Sequence, residues 1–328
     1  MRSPIKTVSV IGGGQWGTAL SSTIACNLDK ITIIAREAEI VESINAHSEN
    51  TLLFPGIKLA SNIRASHTMH TILDTGLVIL AVPSQALREV ASQIQQIKKY
   101  CRFLIISKGI ENSSMKLMHQ IVSEVSPSSD VAVLSGPNFA KYIIRKLPAA
   151  SVIASNNATF LDDLSDAFNT ATFRCYKSMD MSGIEVCGAV KNVLAIASGI
   201  CEGYGLGENA KAALITRSLV EMERIVEVFG GAKETVYGLA GVGDIMLTCG
   251  TDTSRNYKFG YQIGKHGNIS EALRFVNSTV EGYTTAKSVH EVIVAHRLDM
   301  PICSATYGIL YEELSIEHAL KALMNRPI

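Results

Sequence analysis

Residues 7–35, TVSVIGGGQWGTALSSTIACNLDKITIIA, decide the fold of this chain. "TVSVI" (7–11) has the β-branched, apolar character of a strand, and "GGGQWG" reads as a tight turn. Residues 18–28 then suit a helix, and "ITIIA" (31–35) returns as a second strand, which completes a βαβ unit. Gly12, Gly14 and Gly17 match G-x-G-x-x-G in the setting that the motif requires, after a strand and at the start of a helix. Gly12 permits the turn, Gly14 lets the backbone approach a pyrophosphate near the helix N-terminus, and Gly17 allows close helix–strand packing.

Further short apolar runs follow at 77–82, 103–107 and 131–135, separated by helix-compatible segments at 84–98 and 114–125. This alternation predicts a parallel sheet covered by helices on both faces. Runs at 149–155 and 172–176, around a helix near 159–169, extend it. Beyond residue 178 the strand signal fades, and long periodic segments take over at 182–202, 210–229, 284–295 and 301–314. The expected fold is therefore α/β: a Rossmann-like, doubly wound N-terminal domain at 1–178, then an all-α domain at 179–328. No Ser/Gly-rich linker separates them, which points to a tight interface with a ligand cleft at the carboxyl ends of the strands.

Of 328 residues, 47% are apolar and 18% charged, enough material for sizeable cores and too little charge for a disordered chain. Thirty basic and thirty acidic side chains cancel, so no overall field favours nucleic acid or an anionic membrane, and a small-molecule partner is expected. Seven cysteines form no C-x-x-C pair, and Cys26, Cys187, Cys201 and Cys249 lie among small or apolar residues, as buried free thiols of a reducing compartment would. No apolar signal core begins the chain, and no apolar run is long and uninterrupted enough to suggest a bilayer span. These features imply a cytoplasmic protein without a membrane anchor.

The second strand ends in Ala35-Arg36, where a dinucleotide site usually carries an acidic residue for the adenosine ribose. Arg36 admits the 2′-phosphate of NADP or stacks on adenine; it is equally a solvated strand-end residue. "SKGI" places Lys108, and "SGPNFA" places Gly136, in loops directly after strands, where chemistry collects. Lys191, in "GAVKNVLAI", stands in an apolar helix, and burial or a nearby cation would bring its pKa into the acid/base range unless the side chain snorkels. Asp244, in "GLAGVGDIMLTC", is a site residue or a helix cap. Ser254, Arg255 and Asn256 form either an ordinary first turn or an anion site at a helix N-terminus. His67-x-x-His70 has no acidic or thiol companion close by, so no metal is expected.

In order along the chain, "GGGQWGTAL", "SKGIE", "SGPNFA", "GAVKNVLAIASGI", "GLGENAKAALITRSLVEM", "GLAGVGDIMLTC" and "SRNYKFG" closely resemble the bacterial type of NAD(P)-dependent glycerol-3-phosphate dehydrogenase. The resemblance implies reversible reduction of dihydroxyacetone phosphate to sn-glycerol 3-phosphate with NAD or NADP, NADPH being accepted, for phospholipid synthesis. It implies that Lys191 is the catalytic lysine, assisted by Lys108 and Asp244, and that Lys108, Gly136, Asn138, Lys191, Asp244, Ser254, Arg255 and Asn256 contact substrate. The glycines Gly12, Gly14 and Gly17 would hold cofactor with Gln15, Trp16, Arg36, Lys108, Ala140, Arg255, Thr279 and Glu281. A homodimer is the expected assembly.

Four positions in "SGPNFAKYIIRKLPAA" depart from the family pattern. Asn138 replaces a small hydroxyl residue, Tyr142 a glutamate, Lys146 a glycine and Ala149 a threonine. Alternative readings are a 3-hydroxyacid or 6-phosphogluconate type dehydrogenase, and a dinucleotide sensor without catalysis. The phosphate-site triplet and "GLAGVGD" favour the glycerol phosphate reading, and a sensor has no use for Lys108, Lys191 and Asp244 together.

Overall fold

The strands β1 (Thr7–Ile11), β2 (Lys30–Ile34), β3 (Ile63–Ser66), β4 (Leu77–Leu80), β5 (Arg102–Ile105), β6 (Asp130–Ser135), β7 (Ala149–Ser155) and β8 (Phe173–Ser178) form one sheet, ordered β3-β2-β1-β4-β5-β6-β7-β8. This is a computed structural model, and it describes residues 4–326. The first six strands run parallel in the Rossmann order, with the switch between β1 and β4. β1 and β4 are buried almost throughout, which explains their nearly unbroken apolar sequence. Helices α1 (Gln15–Ile24), α2 (Ala38–His47), α3 (Leu87–Ile97), α4 (Met118–Val125), α5 (Ala140–Ile143) and α6 (Ala158–Phe168) complete this α/β unit.

Several local expectations shift. α1 begins at Gln15, three residues before the expected start, with Gly14 as its N-cap. Gly17 lies inside the helix because it needs no side chain there: a Cβ would stand 2.3 Å from the Gly12 carbonyl oxygen. β7 runs antiparallel to β6 instead of extending the parallel set. The connection between them holds only the four-residue α5, which packs on α1, so no crossover helix carries the chain to the far edge of the sheet. β3 and α2 had no clear sequence signal; β3 has one exposed and one half-buried residue among four and is pinned through Asn45, whose side chain bonds both the N–H and the carbonyl of Ala65.

The second unit is helical: α7 (Met181–Gly203), α8 (Gly207–Val228), α9 (Asp244–Cys249), α10 (Arg255–His266), α11 (Ile269–Val276), α12 (Glu281–His296), α13 (Pro301–Tyr311) and α14 (Ile316–Met324). The chain divides into one compact unit ending at Ser107 and resuming at Met118–Met181, and another made of Lys108–Leu117 with the described residues from Ser182 onward. The segment after β5 thus packs with the helices, where Ser288 Oγ donates to the carbonyl oxygen of Ile110 at 2.8 Å and Glu291 accepts the Ser113 N–H at 2.9 Å.

α7 is the core of the helical unit. It is long and apolar enough by composition to cross a bilayer, with a mean hydropathy of 1.5, although Glu185 and Lys191 interrupt it, and that window lies wholly buried inside the protein. Val190, Val193, Leu194 and Ile196 are fully buried, each contributing about 1.5–3 kcal/mol. α10 crosses α7 at backbone contact. A Cβ on Gly199 would stand 2.2 Å from the Tyr257 carbonyl oxygen, and one on Gly260 would stand 2.1 Å from that of Ile196. All seven cysteines are free, and Cys26 is exposed where burial was expected, because the helix has already given way to a short 3-10 turn there.

Candidate active site

Lys191 lies at the middle of α7 with 8% of its side chain exposed, so it does not snorkel to solvent. Its ammonium is 3.1 Å from Asp244 Oδ1, and Lys108 Nζ is 2.5 Å from Asp244 Oδ2. Asp244 is itself buried and opens α9 after a π-helical turn at Leu239–Gly243, so it serves as the counter-ion of both lysines instead of a cap. Two ammonium groups thus share one carboxylate. Burial lowers the pKa of Lys191 to about 8, with Lys108 adding to the effect and Asp244 opposing it.

The first turn of α10 carries the polar triplet. Ser254 is the N-cap, its Oγ accepting the Tyr257 N–H at 3.3 Å, so its hydroxyl already has a structural duty. Arg255 is exposed at the first helical position, beside N–H groups that a helix start leaves without intrahelical partners. The side chain of Asn256 is committed on both ends: Nδ2 donates to Asn192 Oδ1 at 2.8 Å, and Oδ1 accepts the Gly282 N–H at 2.9 Å. Thr279 and Glu281 flank the start of α12 next to that bond. Asn192 was not anticipated as part of this arrangement. Its signal was available, since it is a second polar residue directly beside Lys191 within the otherwise apolar stretch 186–197 of α7.

In the α/β unit, Gly12 follows β1 with φ +119°, and a Cβ there would stand 2.4 Å from the Ala81 carbonyl oxygen at the end of β4. Gly14 has open space around it, and both it and Gln15 are exposed, so the N-terminus of α1 faces outward with room for a pyrophosphate. Trp16 packs against the apolar core and Arg36 is exposed just past β2. Asn50, fully buried, donates to Gly13 O at 3.2 Å and Thr18 Oγ1 at 3.0 Å, bracing the glycine turn; its separation of 37 residues hid it from local reading.

Gly136 follows β6 with φ +149°. Asn138 donates its amide to Ala150 O at 3.2 Å and Ser151 Oγ at 2.6 Å, while its buried Oδ1 has no hydrogen-bond partner. Its nitrogen is therefore spent on β7, and its carbonyl oxygen is left buried and unpartnered. Ala140 opens α5. Lys146 holds φ +58°, so the position keeps the left-handed backbone that a glycine adopts most readily. Tyr142 is exposed with Lys141 Nζ 4.7 Å from its ring centre. Among the described residues, no group of three or more His, Cys, Asp or Glu side chains could hold a metal ion.

Residues 7–161 match the family described as NAD-dependent glycerol-3-phosphate dehydrogenase N-terminus, and residues 180–321 match its C-terminus. The chain belongs to the NAD-dependent glycerol-3-phosphate dehydrogenase family. It is 39% identical over 325 residues to glycerol-3-phosphate dehydrogenase [NAD(P)+] of Halorhodospira halophila, covering 98% of this chain and 97% of that one. The protein of the same name from Caulobacter vibrioides is also 39% identical, over 98% of both chains. A crystal structure of glycerol-3-phosphate dehydrogenase from Coxiella burnetii superposes with a TM-score of 0.93 at 35% identity, covering 98% of this chain and 99% of the other. The family match spans both the glycine turn and the Lys108–Asp244–Lys191 cluster.

Proposed function

We propose that this chain catalyses the reversible NAD(P)H-dependent reduction of dihydroxyacetone phosphate to sn-glycerol 3-phosphate. The observation that carries the reading is the pair of lysines sharing one buried carboxylate, in a chain that matches this family at both ends. Gly12, Gly14, Gln15, Trp16 and Gly17 hold the dinucleotide at the start of α1, with Arg36 toward the adenosine end and Ala140, Lys108, Arg255, Thr279 and Glu281 as further contacts. When bound, the nicotinamide supplies the hydride.

The residues of the chain supply the proton and the orientation. As the substrate carbonyl becomes an alcohol, its oxygen gains negative charge, and the Lys191 ammonium delivers a proton to it. Lys108 adds positive potential at the same oxygen and keeps Lys191 ready to give up its proton. Asp244 fixes both ammonium groups in place. In the oxidising direction the neutral amine of Lys191 takes the hydroxyl proton. Arg255 and the N–H groups at the start of α10 hold the phosphate, so that binding of a remote group positions the reacting carbon. Asn256 acts through its backbone, because its side chain is already engaged. Gly136 offers a further substrate contact.

A 3-hydroxyacid or 6-phosphogluconate type dehydrogenase is not favoured, because both halves of the chain match the glycerol phosphate family. The deciding assay follows NADH and NADPH oxidation with dihydroxyacetone phosphate. Both cofactors should support turnover, and failure with both would end this reading. Supply of phospholipid synthesis, cytoplasmic residence and a homodimer belong to the same reading, the last to be decided by light scattering of the purified chain.

A further inference from the structure

The segment "GLGENAKAAL" has no part in the chemistry so far, yet one of its side chains reaches the phosphate turn. Lys211, on α8, forms an ion pair with Glu202 near the end of α7, and both groups meet the phenol of Tyr257 on α10. Tyr257 OH donates to Glu202 Oε2, Lys211 Nζ lies 3.3 Å from the phenol oxygen, and the same ammonium sits 5.3 Å from the ring centre. Tyr257 is 5% exposed. It directly follows Asn256, its N–H is the one that Ser254 caps, and its carbonyl lies against Gly199 at the α7–α10 crossing.

We propose that Tyr257, held by Glu202 and Lys211, is a positioning residue for the phosphate group of the substrate. The first turn of α10 is thereby fixed from two sides. Asn256 ties it to α7 at Asn192, and Tyr257 ties it to the far end of α7 and to α8. A helix end grips an anion only where its N–H groups and Arg255 converge, and loss of either tie lets the turn rotate about the glycine crossing. Neither Glu202 nor Lys211 needs to touch substrate for this effect. The proposal rests on Arg255 and the α10 N-terminus being the phosphate site.

The test uses the full-length chain and compares Tyr257→Phe, Glu202→Gln and their double variant with Arg255→Ala. Tyr257→Phe keeps the ring in the core and removes only the hydroxyl. It should raise KM for dihydroxyacetone phosphate roughly three- to tenfold, the scale of one lost hydrogen bond to a charged group, with kcat and KM for NADPH changed by less than about twofold. Unphosphorylated dihydroxyacetone should be turned over with unchanged kcat/KM. The double variant should lose less than the product of the two single effects, since both substitutions act on the shared Glu202–Tyr257–Lys211 contact. Lys211→Arg should retain the normal KM where Lys211→Met does not. An unchanged KM for dihydroxyacetone phosphate in Tyr257→Phe overturns the proposal, as does an equal loss on the unphosphorylated ketone. If Tyr257→Phe does not fold, Glu202→Gln at the exposed end of the contact decides on the same criteria. Should Arg255→Ala lose nothing specific to the phosphate, the underlying reading of α10 fails, which is a separate result.

Discussion

Lys191 combines two costs that a surface lysine avoids: desolvation inside α7, and the nearby charge of Lys108. In the proposed mechanism its ammonium is the form that donates in reduction, so turnover of dihydroxyacetone phosphate should hold below about pH 8 and fall as pH rises through it. Oxidation of glycerol 3-phosphate needs the neutral amine and should rise across the same range; a pH profile in both directions checks this. Stability follows the same proton. An unfolded lysine keeps its proton up to its ordinary pKa of 10.5, so between about pH 8 and there the unfolded chain binds more protons and stability rises with pH. Lys191→Met should cut kcat by about 10²–10⁴ while NADPH binding survives, measured by steady-state kinetics and cofactor fluorescence. It should also raise thermal stability at neutral pH, by an amount on the order of 1–3 kcal/mol, because Asp244 keeps Lys108 as its partner. With Arg36 proposed to face the adenosine 2′-phosphate, Arg36→Ala should raise KM for NADPH about tenfold and leave KM for NADH nearly unchanged. Lys191 stood out in the sequence as a cation among apolar residues, whereas the duties of Ser254 and Asn256 did not, since a polar residue at a helix start reads alike whether it caps, braces or binds.

Helix α7 does two jobs, and the sequence shows why one helix can do both. Its apolar residues supply the core of the helical unit, and its glycines let α10 approach until backbones touch, which brings the first turn of α10 close to the face carrying Asn192. Gly260→Ala places a methyl carbon 2.1 Å from the Ile196 carbonyl oxygen, so the two helices must separate. The expected cost is about 1–3 kcal/mol in denaturant unfolding, together with a higher KM for dihydroxyacetone phosphate. Elements with strong periodicity, such as α7, α8 and α13, were legible to within a few residues. β3, α2 and the direction of β7 were not, because they depend on what the chain packs against. The four residues of β3 have too little pattern to be read alone, and β7 reverses because α5 is too short to cross the sheet.

For the whole molecule, thirty positive and thirty negative side chains leave no long-range field to draw in an anionic substrate. In the proposed mechanism the attraction comes from the local charge of Lys108, Lys191 and Arg255, which salt screens over about 10 Å at 0.1 M. The value of kcat/KM for dihydroxyacetone phosphate should fall with ionic strength, and Arg255→Ala should remove much of that slope; a salt series on both proteins tests it. The order of alternating and periodic segments, read alone, specified an α/β unit followed by helices, because side-chain period is a local property of the backbone. The glycine turn likewise declared itself, since a strand, a tight turn and a helix start are neighbours in sequence. Only the tertiary structure decided that Lys108 packs with the helical unit and shares Asp244 with Lys191, that Asn138 spends its amide on β7, and that Glu202 and Lys211 reach Tyr257. These contacts join residues up to 136 positions apart, and no local pattern encodes which buried groups will meet once water is excluded and each must find a partner.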